Sequence, residues 1–283
     1  MAKNKLSGKE SFEQYYLSLY GERWKDLKES FSLEPLYATF KFENCEPYYL
    51  DAASVFASSC LPLENSLNIL DMCAAPGGKS LILASRMFDD SSLVCNERSA
   101  DRRNRLCTVV KESLPEEINS RIQITGNDGA LICKKTDKKF DSILLDAPCS
   151  SERHVYNSPK HLEQWTASRV KNLSFTQWSL LSSAFLSLND TGFILYSTCA
   201  LAKDENDGVI QKLIKKYSKS EENFKIEICK IDFTEIYKNL PSLVEIPELI
   251  IESTEFGYQI LPDKNRGAGP LYFSLIKKSI NQN

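Results

Sequence analysis

The stretch Asn68-Ile-Leu-Asp-Met-Cys-Ala-Ala-Pro-Gly-Gly-Lys-Ser80 decides the fold. Its apolar opening, Leu67 to Met72, reads as a buried strand. Pro76-Gly77-Gly78 then turns the chain into an apolar helix, Lys79 to Met87. A strand, a small-residue turn and a helix make a nucleotide-binding corner. Its glycines let a ligand approach the backbone, and its helix N-terminus offers unpaired N–H groups. The spacing departs from the dinucleotide fingerprint, so NAD is not expected.

Outward from this corner, strand and helix patterns alternate. Strands are expected at Leu93–Glu97, Arg121–Thr125, Phe140–Leu145 and Gly192–Ser197, and helices at Asp101–Ser113, Val170–Leu188 and Asp204–Tyr217. This order implies a mostly parallel sheet covered on both faces, with ligands beyond the carboxyl ends of its strands. Two further motifs, Asp146-Ala-Pro-Cys-Ser150 and Tyr196-Ser-Thr-Cys-Ala200, sit at such ends. Past Ser218 come strands at Phe224–Ile231, Gly257–Leu261 and Leu271–Ile276. The last two read as an antiparallel hairpin whose loop holds Gly267, Gly269 and Pro270. Upstream, Ser11 to Pro35 reads as two short helices that pack Phe12, Tyr15, Tyr16 and Leu19, then Trp24, Leu27 and Phe31, on the main body. Pro47 to Phe56 reads as a helix leading in. Residues 1–46 are thus a helical N-terminal extension and residues 47–283 the catalytic domain.

Composition suits a soluble α/β protein: 42% hydrophobic residues supply a core, and no run reaches the roughly 18 apolar residues of a membrane span. Met1-Ala-Lys-Asn-Lys5 begins no apolar signal segment, and no clear transit peptide follows, so a cytoplasmic location is expected, or a mitochondrial one in a eukaryote. Nine cysteines lack C-x-x-C pairing and have only two histidines as partners, so no metal site is expected. Most read as reduced core thiols. The net charge of −3 gives no global attraction for nucleic acid. Local basic groups do exist: Arg98, Arg102, Arg103 and Arg105; Lys134, Lys135, Lys138 and Lys139; Arg153, His154, Lys160 and His161. Each is either a phosphate-holding rim or a set of solvated charges.

Glu97 ends the second strand, 21 residues after Pro76, where an acid accepts from ribose hydroxyls. Asp128 ends the third and is placed to reach an adenine amino group. One glycine turn and two acids suit a single nucleoside. S-adenosylmethionine fits, since its sulfonium needs no P-loop lysine pattern, and none is present. Cys149 stands where amino-group methyltransferases carry an aromatic, and Cys199 ends the next strand, 50 residues on. Two cysteines beside a methyl donor point to methylation of a carbon that is not itself nucleophilic. Carbon 5 of cytosine is such a centre, activated when a thiolate adds to carbon 6.

The three motifs, Asp71-Met-Cys-Ala-Ala-Pro-Gly-Gly-Lys79, Asp146-Ala-Pro-Cys-Ser-Ser-Glu-Arg-His154 and Tyr196-Ser-Thr-Cys-Ala-Leu201 with Glu205-Asn206 after it, closely resemble the Sun family of RNA cytosine-C5 methyltransferases. The resemblance covers roughly residues 47 to 278. It is greatest to short mitochondrial-type members that lack an appended RNA-binding domain. It implies a Rossmann-like class I fold with a seven-stranded sheet. It also implies Cys199 as nucleophile, Cys149 as the group assisting product release, Asp146 at the cytosine edge and bordering the cofactor, and Lys79 near the base. Cys73, Ala74, Ala75, Pro76, Gly77, Gly78 and Lys79, with Glu97 and Asp128, would hold S-adenosylmethionine. Ala200 stands where Ser or Thr is common in the family.

A target base must leave its stack to meet both thiols, so loop or single-stranded RNA is expected. Ribosomal RNA is the first expectation and transfer RNA the second, with a partner protein or ribosomal particle aiding recognition. The rival class is a non-catalytic RNA-binding assembly factor. Ser150 to Ser168, carrying Arg153, His154, Lys160, His161 and Trp165, is expected to line the RNA entrance, although a structural hydrogen bond is an equal reading for His154.

Overall fold

The computed structural model describes residues 8–135, 138–217 and 224–280. Helices α1 (Gly8–Tyr20) and α2 (Arg23–Ser30) precede a small antiparallel pair, β1 (Tyr37–Phe40) and β2 (Tyr48–Asp51), and helix α3 (Ala52–Ser59). The alternating part then runs β3 (Asn68–Asp71), α4 (Gly78–Arg86), β4 (Ser92–Asn96), α5 (Ala100–Ser113), α6 (Glu116–Asn119), β5 (Ile122–Thr125), α7 (Ile132–Lys135) and β6 (Phe140–Asp146). It continues through α8 (Glu152–Tyr156), α9 (Pro159–Glu163), α10 (Ala167–Ser187), β7 (Leu188–Thr198) and α11 (Asp207–Tyr217). The last elements are β8 (Phe224–Ile228), α12 (Phe233–Lys238), β9 (Glu252–Ser253), β10 (Tyr258–Ile260) and β11 (Leu271–Ile280).

The main sheet has the order β5-β4-β3-β6-β7-β11-β10-β9, with β8 also paired to β11. Strands β3 to β7 are parallel, and β11 is antiparallel to both β7 and β10. The expected hairpin is therefore present, with β11 set inside the sheet. Nine strands occur in this sheet where seven were expected. One edge position is shared by β10 and β8 along the length of β11, and the two-residue β9 lies beyond it.

Period-two alternation separates the two faces. Leu144 and Leu195 join a core with α3 and α4, while Ile143, Leu145, Ile194 and Tyr196 join one with α10 and α11. A third core packs Phe12, Tyr16 and Trp24 of α1 and α2 against Trp165, Val170 and Leu201. Leu19 is 43% exposed and not part of that packing.

The segment Pro47 to Phe56 departs from the expected helix. Tyr48–Asp51 is a strand held by β1, and helix starts only at Ala52, where the Asp51 carboxylate accepts from the Ala53 N–H at 2.8 Å. Its β-prone tyrosines take a partner, Tyr37–Phe40, that carries no pattern of its own. That pairing joins chain on both sides of residue 46. Among the described residues no helix is long and apolar enough to cross a membrane, and no acidic, histidine or cysteine cluster could hold a metal.

Candidate active site

Adjacent parallel strands bring the two cysteines level. β6 and β7 pair with Asp146 opposite Ser197, so Cys149 and Cys199 leave the same sheet edge. Their sulfurs lie 2.9 Å apart. The Ser151 hydroxyl is 3.2 Å from the Cys199 sulfur and 3.5 Å from that of Cys149. Lys79, in the first turn of α4, donates to Asp146 Oδ2 at 2.9 Å, and Ser197 donates to Asp146 Oδ1 at 2.9 Å. All three motifs thus converge on one cleft of about 780 Å³, lined by Cys73, Ala75, Pro76, Lys79, Asp146, Cys149 and Cys199 among others.

The electrostatics distinguish the thiols. With the shared proton on Cys149, the contact between the sulfurs lowers the Cys199 pKa against the effect of burial, helped by the nearer Ser151 hydroxyl. The Cys149 pKa is pushed up, first by holding that proton toward Cys199 and then by burial. Burial opposes the charge on Lys79, yet the adjoining Asp146 carboxylate holds its pKa above the usual lysine value. Of the two thiols Cys199 is thus the more readily ionised, with a cation in the same cleft.

A second cavity of about 320 Å³ opens at the ends of β3, β4 and β5. It holds Cys73, Glu97 and Asp128 and is closed by Thr176, Ser179 and Leu180 of α10. Cys73, Arg102 and Pro148 line both cavities, so the two adjoin. Glu97 Oε1 accepts from the Ser99 N–H at 2.8 Å. Its Oε2 is buried without a hydrogen bond, although the Arg102 guanidinium lies 3.1 Å away. A buried carboxylate oxygen short of a well-aligned donor fits a ribose hydroxyl. Asp128 Oδ1 caps the turn at Ala130, and its Oδ2 lies 3.4 Å from Arg98. The residues at this end fit an adenosine-bearing cofactor.

The turn glycines also serve packing. Gly77 has φ of +125°, and a Cβ there would lie 3.0 Å from Val109 of α5. A Cβ on Gly78 would lie 2.9 Å from the Tyr48 ring. Their smallness admits α5 and β2. Ala74 and Gly78 line a pocket of about 200 Å³ beside Tyr48, and Gly77 lines none of these three cavities.

The expected RNA entrance divides. Trp165 is 1% exposed in the third core, so it lines no entrance. Arg153 lines the cleft, but its guanidinium donates to the carbonyls of Leu33, Gly267 and Gly269 and ties three segments together. Burial lowers its pKa. His154 lines the cleft, with the His161 ring 5.2 Å from its own. Lys160 and His161 are exposed. Sequence reasoning passed over Ser151, the α10 residues and Asp51. Asp51 lines the cleft and accepts from the Gly269 N–H at 3.1 Å. Only Asp51 carried a local signal, an Asp before Ala-Ala-Ser at a helix start.

Similar proteins are known. A mitochondrial tRNA (cytosine(34)-C(5))-methyltransferase of Danio rerio is 30% identical over 233 residues, 82% of this chain and 60% of its own length. The ribosomal RNA small subunit methyltransferase F of Aliivibrio salmonicida is 35% identical over 173 residues, 60% of this chain and 36% of its own. The chain thus spans less than two thirds of the length of these relatives. A methyltransferase homologue from Pyrococcus horikoshii shares the fold across 94% of both chains, with a TM-score of 0.67 and 19% identity. NSun6 from the same organism, solved with SFG, has a TM-score of 0.60 at 22% identity, covering 81% of this chain and 53% of its own. The 16S rRNA methyltransferase RsmB/F family model matches residues 58–272, from before β3 into β11 and through all three motifs, so the chain belongs to this S-adenosylmethionine-dependent family.

Proposed function

We propose that the protein methylates carbon 5 of cytosine in RNA, with Cys199 as covalent nucleophile and S-adenosylmethionine as methyl donor. The observation that carries this reading is the pair of thiols 2.9 Å apart beside the Lys79–Asp146 ion pair. The Cys199 thiolate forms a bond to carbon 6, and the ring electrons it displaces make carbon 5 nucleophilic. Lys79 offers positive charge to the ring while Asp146 accepts from its amino edge near N3. S-adenosylmethionine, held by residues 73–79 with Glu97, Asp128 and Asp146, supplies an electrophilic methyl group. Carbon 5 would gain the methyl group as the sulfonium sulfur–methyl bond breaks to leave a neutral thioether. The carbon-5 proton would then pass to water, its bonding pair restoring the double bond between carbon 5 and carbon 6 as the sulfur–carbon 6 bond breaks with its electron pair returning to Cys199. Cys149, beside that sulfur, assists this release. The base must be turned out of its stack, which favours loop RNA.

Ribosomal RNA is the first substrate reading, in line with the family description. Transfer RNA is the second. It is favoured by the longer match to the tRNA enzymes, 82% of this chain against 60% for the ribosomal one. A partner protein or preassembled particle would supply recognition that the weak local charge does not.

A covalent trap tests all of this. Cys149→Ala is mixed with S-adenosylmethionine and total RNA, then with ribosomal particles. A denaturant-resistant adduct is expected, absent in Cys149→Ala/Cys199→Ala, and its RNA names the substrate. No adduct in either mixture would overturn the catalytic reading in favour of a non-catalytic RNA-binding factor.

A further inference from the structure

Two buried carboxylates outside the reacting set link the cysteine loops in opposite directions. Glu152 follows Cys149 in the chain, yet its Oε2 accepts from the backbone N–H of Leu201, just past Cys199, at 3.0 Å. Its Oε1 accepts from the hydroxyls of Ser150 and of Tyr16 on α1. Glu205 follows Cys199, yet its Oε2 accepts from the backbone N–H of Ser150, next to Cys149, at 2.9 Å. Gln177 of α10 donates to that same oxygen at 2.8 Å and to the Pro148 carbonyl at 2.9 Å, so both neighbours of Cys149 are held. Both carboxylates are fully buried, and neither lines the cleft. They touch no reacting atom.

We propose that Glu152 and Glu205 form a reciprocal clasp that sets the distance between the Cys149 and Cys199 sulfurs, with Tyr16 joining the N-terminal helix to it. The physical need is clear. Strand pairing brings the two Cα positions level, but each sulfur sits on a loop beyond its strand. A thiol hydrogen bond weakens steeply with distance and angle, so loops free to splay would lose it. Buried acceptors that satisfy backbone N–H groups on the opposite loop resist splaying, because breaking them leaves unpaired polar groups in the interior. The groups facing Glu152 are Tyr16, Ser150 and, more distantly, Glu205. Those facing Cys199 are Cys149, Ser151, Lys79, Asp146 and Glu152 itself, whose charge raises the Cys199 pKa while its hydrogen bonds hold the loops. Glu152 and Glu205 are thus positioning residues that act through the thiol pair. This inference rests on reading Cys199 as the nucleophile and states what holds its neighbouring thiol in place.

The test reads the thiol rather than turnover. Full-length Glu152→Gln, Glu205→Gln and Tyr16→Phe are alkylated with iodoacetamide across a pH series, and the Cys199 peptide is quantified by mass spectrometry. Cys149→Ala, which removes the donor outright, sets the size of the full shift. Glu205→Gln is expected to move the Cys199 midpoint upward by about one pH unit, a tenfold loss of thiolate at a given pH below the midpoint, and Glu152→Gln to move it upward by less, because that variant also removes a charge that raises Cys199. Tyr16→Phe should move it less, and S-adenosylmethionine affinity by calorimetry should not change. A Cys199 titration that matches the parent in all three variants would overturn the clasp. Should a glutamine variant fail to fold, Tyr16→Phe decides alone, since it removes one hydroxyl and leaves the ring packed. Alkylation needs no RNA, so a missing RNA adduct speaks against the proposed substrate and a flat thiol titration against the clasp.

Discussion

The two cavities meet at Cys73, Arg102 and Pro148 but are held by opposite kinds of electrostatics. On the nucleoside side, each acid faces a solvent-exposed arginine. Arg98 is 77% exposed beside Asp128, and Arg102 is 51% exposed beside Glu97. On the thiol side, Glu152 and Glu205 are sealed from water and bound to neutral donors. An ion pair whose arginine is open to water rearranges at less cost than a polar network sealed on every side. In the proposed reaction a cofactor arrives and leaves in every cycle, and Glu97 would exchange Arg102 for a ligand hydroxyl. The sulfurs must not move, and their frame is built in when the chain folds.

That contrast can be broken at several points. The largest effect belongs to Cys199→Ala, which should cut methyl incorporation into RNA by on the order of 10⁴-fold. Cofactor affinity should hold in that variant, because Cys199 touches only the cleft side. Glu97→Ala should do the reverse. It is expected to weaken S-adenosylmethionine binding by roughly 10- to 100-fold, as for a lost hydrogen bond to a charged group. The Cys199 alkylation profile should stay where it was, and a shift there would mean that the two sides are not separable.

Thermal stability measured against pH gives the next effect. Burial raises Glu205 from 4.5 to about 7 and Asp71 from 3.8 to about 7 in the folded protein. Each bears one bonded oxygen and one unpartnered one. A raised folded pKa means stability fully present below the unfolded value and lost as pH climbs through the folded one. Melting temperature should therefore fall between about pH 4 and pH 7, and Glu205→Gln should flatten part of that fall. Glu252 has the opposite sign. Burial works against its charge, but Arg23 and Lys264 overcome this and lower it from 4.5 to about 2. Its contribution is present above pH 4.5 and lost toward pH 2, and Arg23→Ala should remove it. The smallest effect is expected for Arg98→Ala, under about 1 kcal/mol in cofactor binding.

Much of this was readable because it is periodic or local. Apolar runs ending at Asp71, Asp146 and Thr198 located the strand ends, and strand ends locate the site in an open parallel sheet. The β1–β2 pair was not readable, since four-residue strands offer too little alternation to outweigh a helical pattern downstream. The turn glycines were found, but their packing against α5 and β2 was not. A sequence shows that a Cβ is missing, not whether a ligand or a neighbouring helix fills the space. The clasp was invisible for another reason. Nothing local marks Glu152 or Glu205 as buried, and what makes them interior is contact between loop residues 49 and 55 positions apart. Glu205 entered only as part of a motif resemblance, with no chemistry attached.

Arg153 bears on a quantity that counting charges would misjudge. Binding to nucleic acid weakens with added salt in proportion to the number of phosphates neutralised, because each one releases condensed counterions. Arg153 aims its guanidinium at the carbonyls of Leu33, Gly267 and Gly269, and Lys79 is committed to Asp146. Neither is free to displace a counterion from RNA, although both line the cleft. The salt slope of RNA binding should therefore be shallower than the basic residues around the mouth suggest. Affinity at physiological ionic strength would then depend on the shape of the cleft and on the covalent step more than on charge.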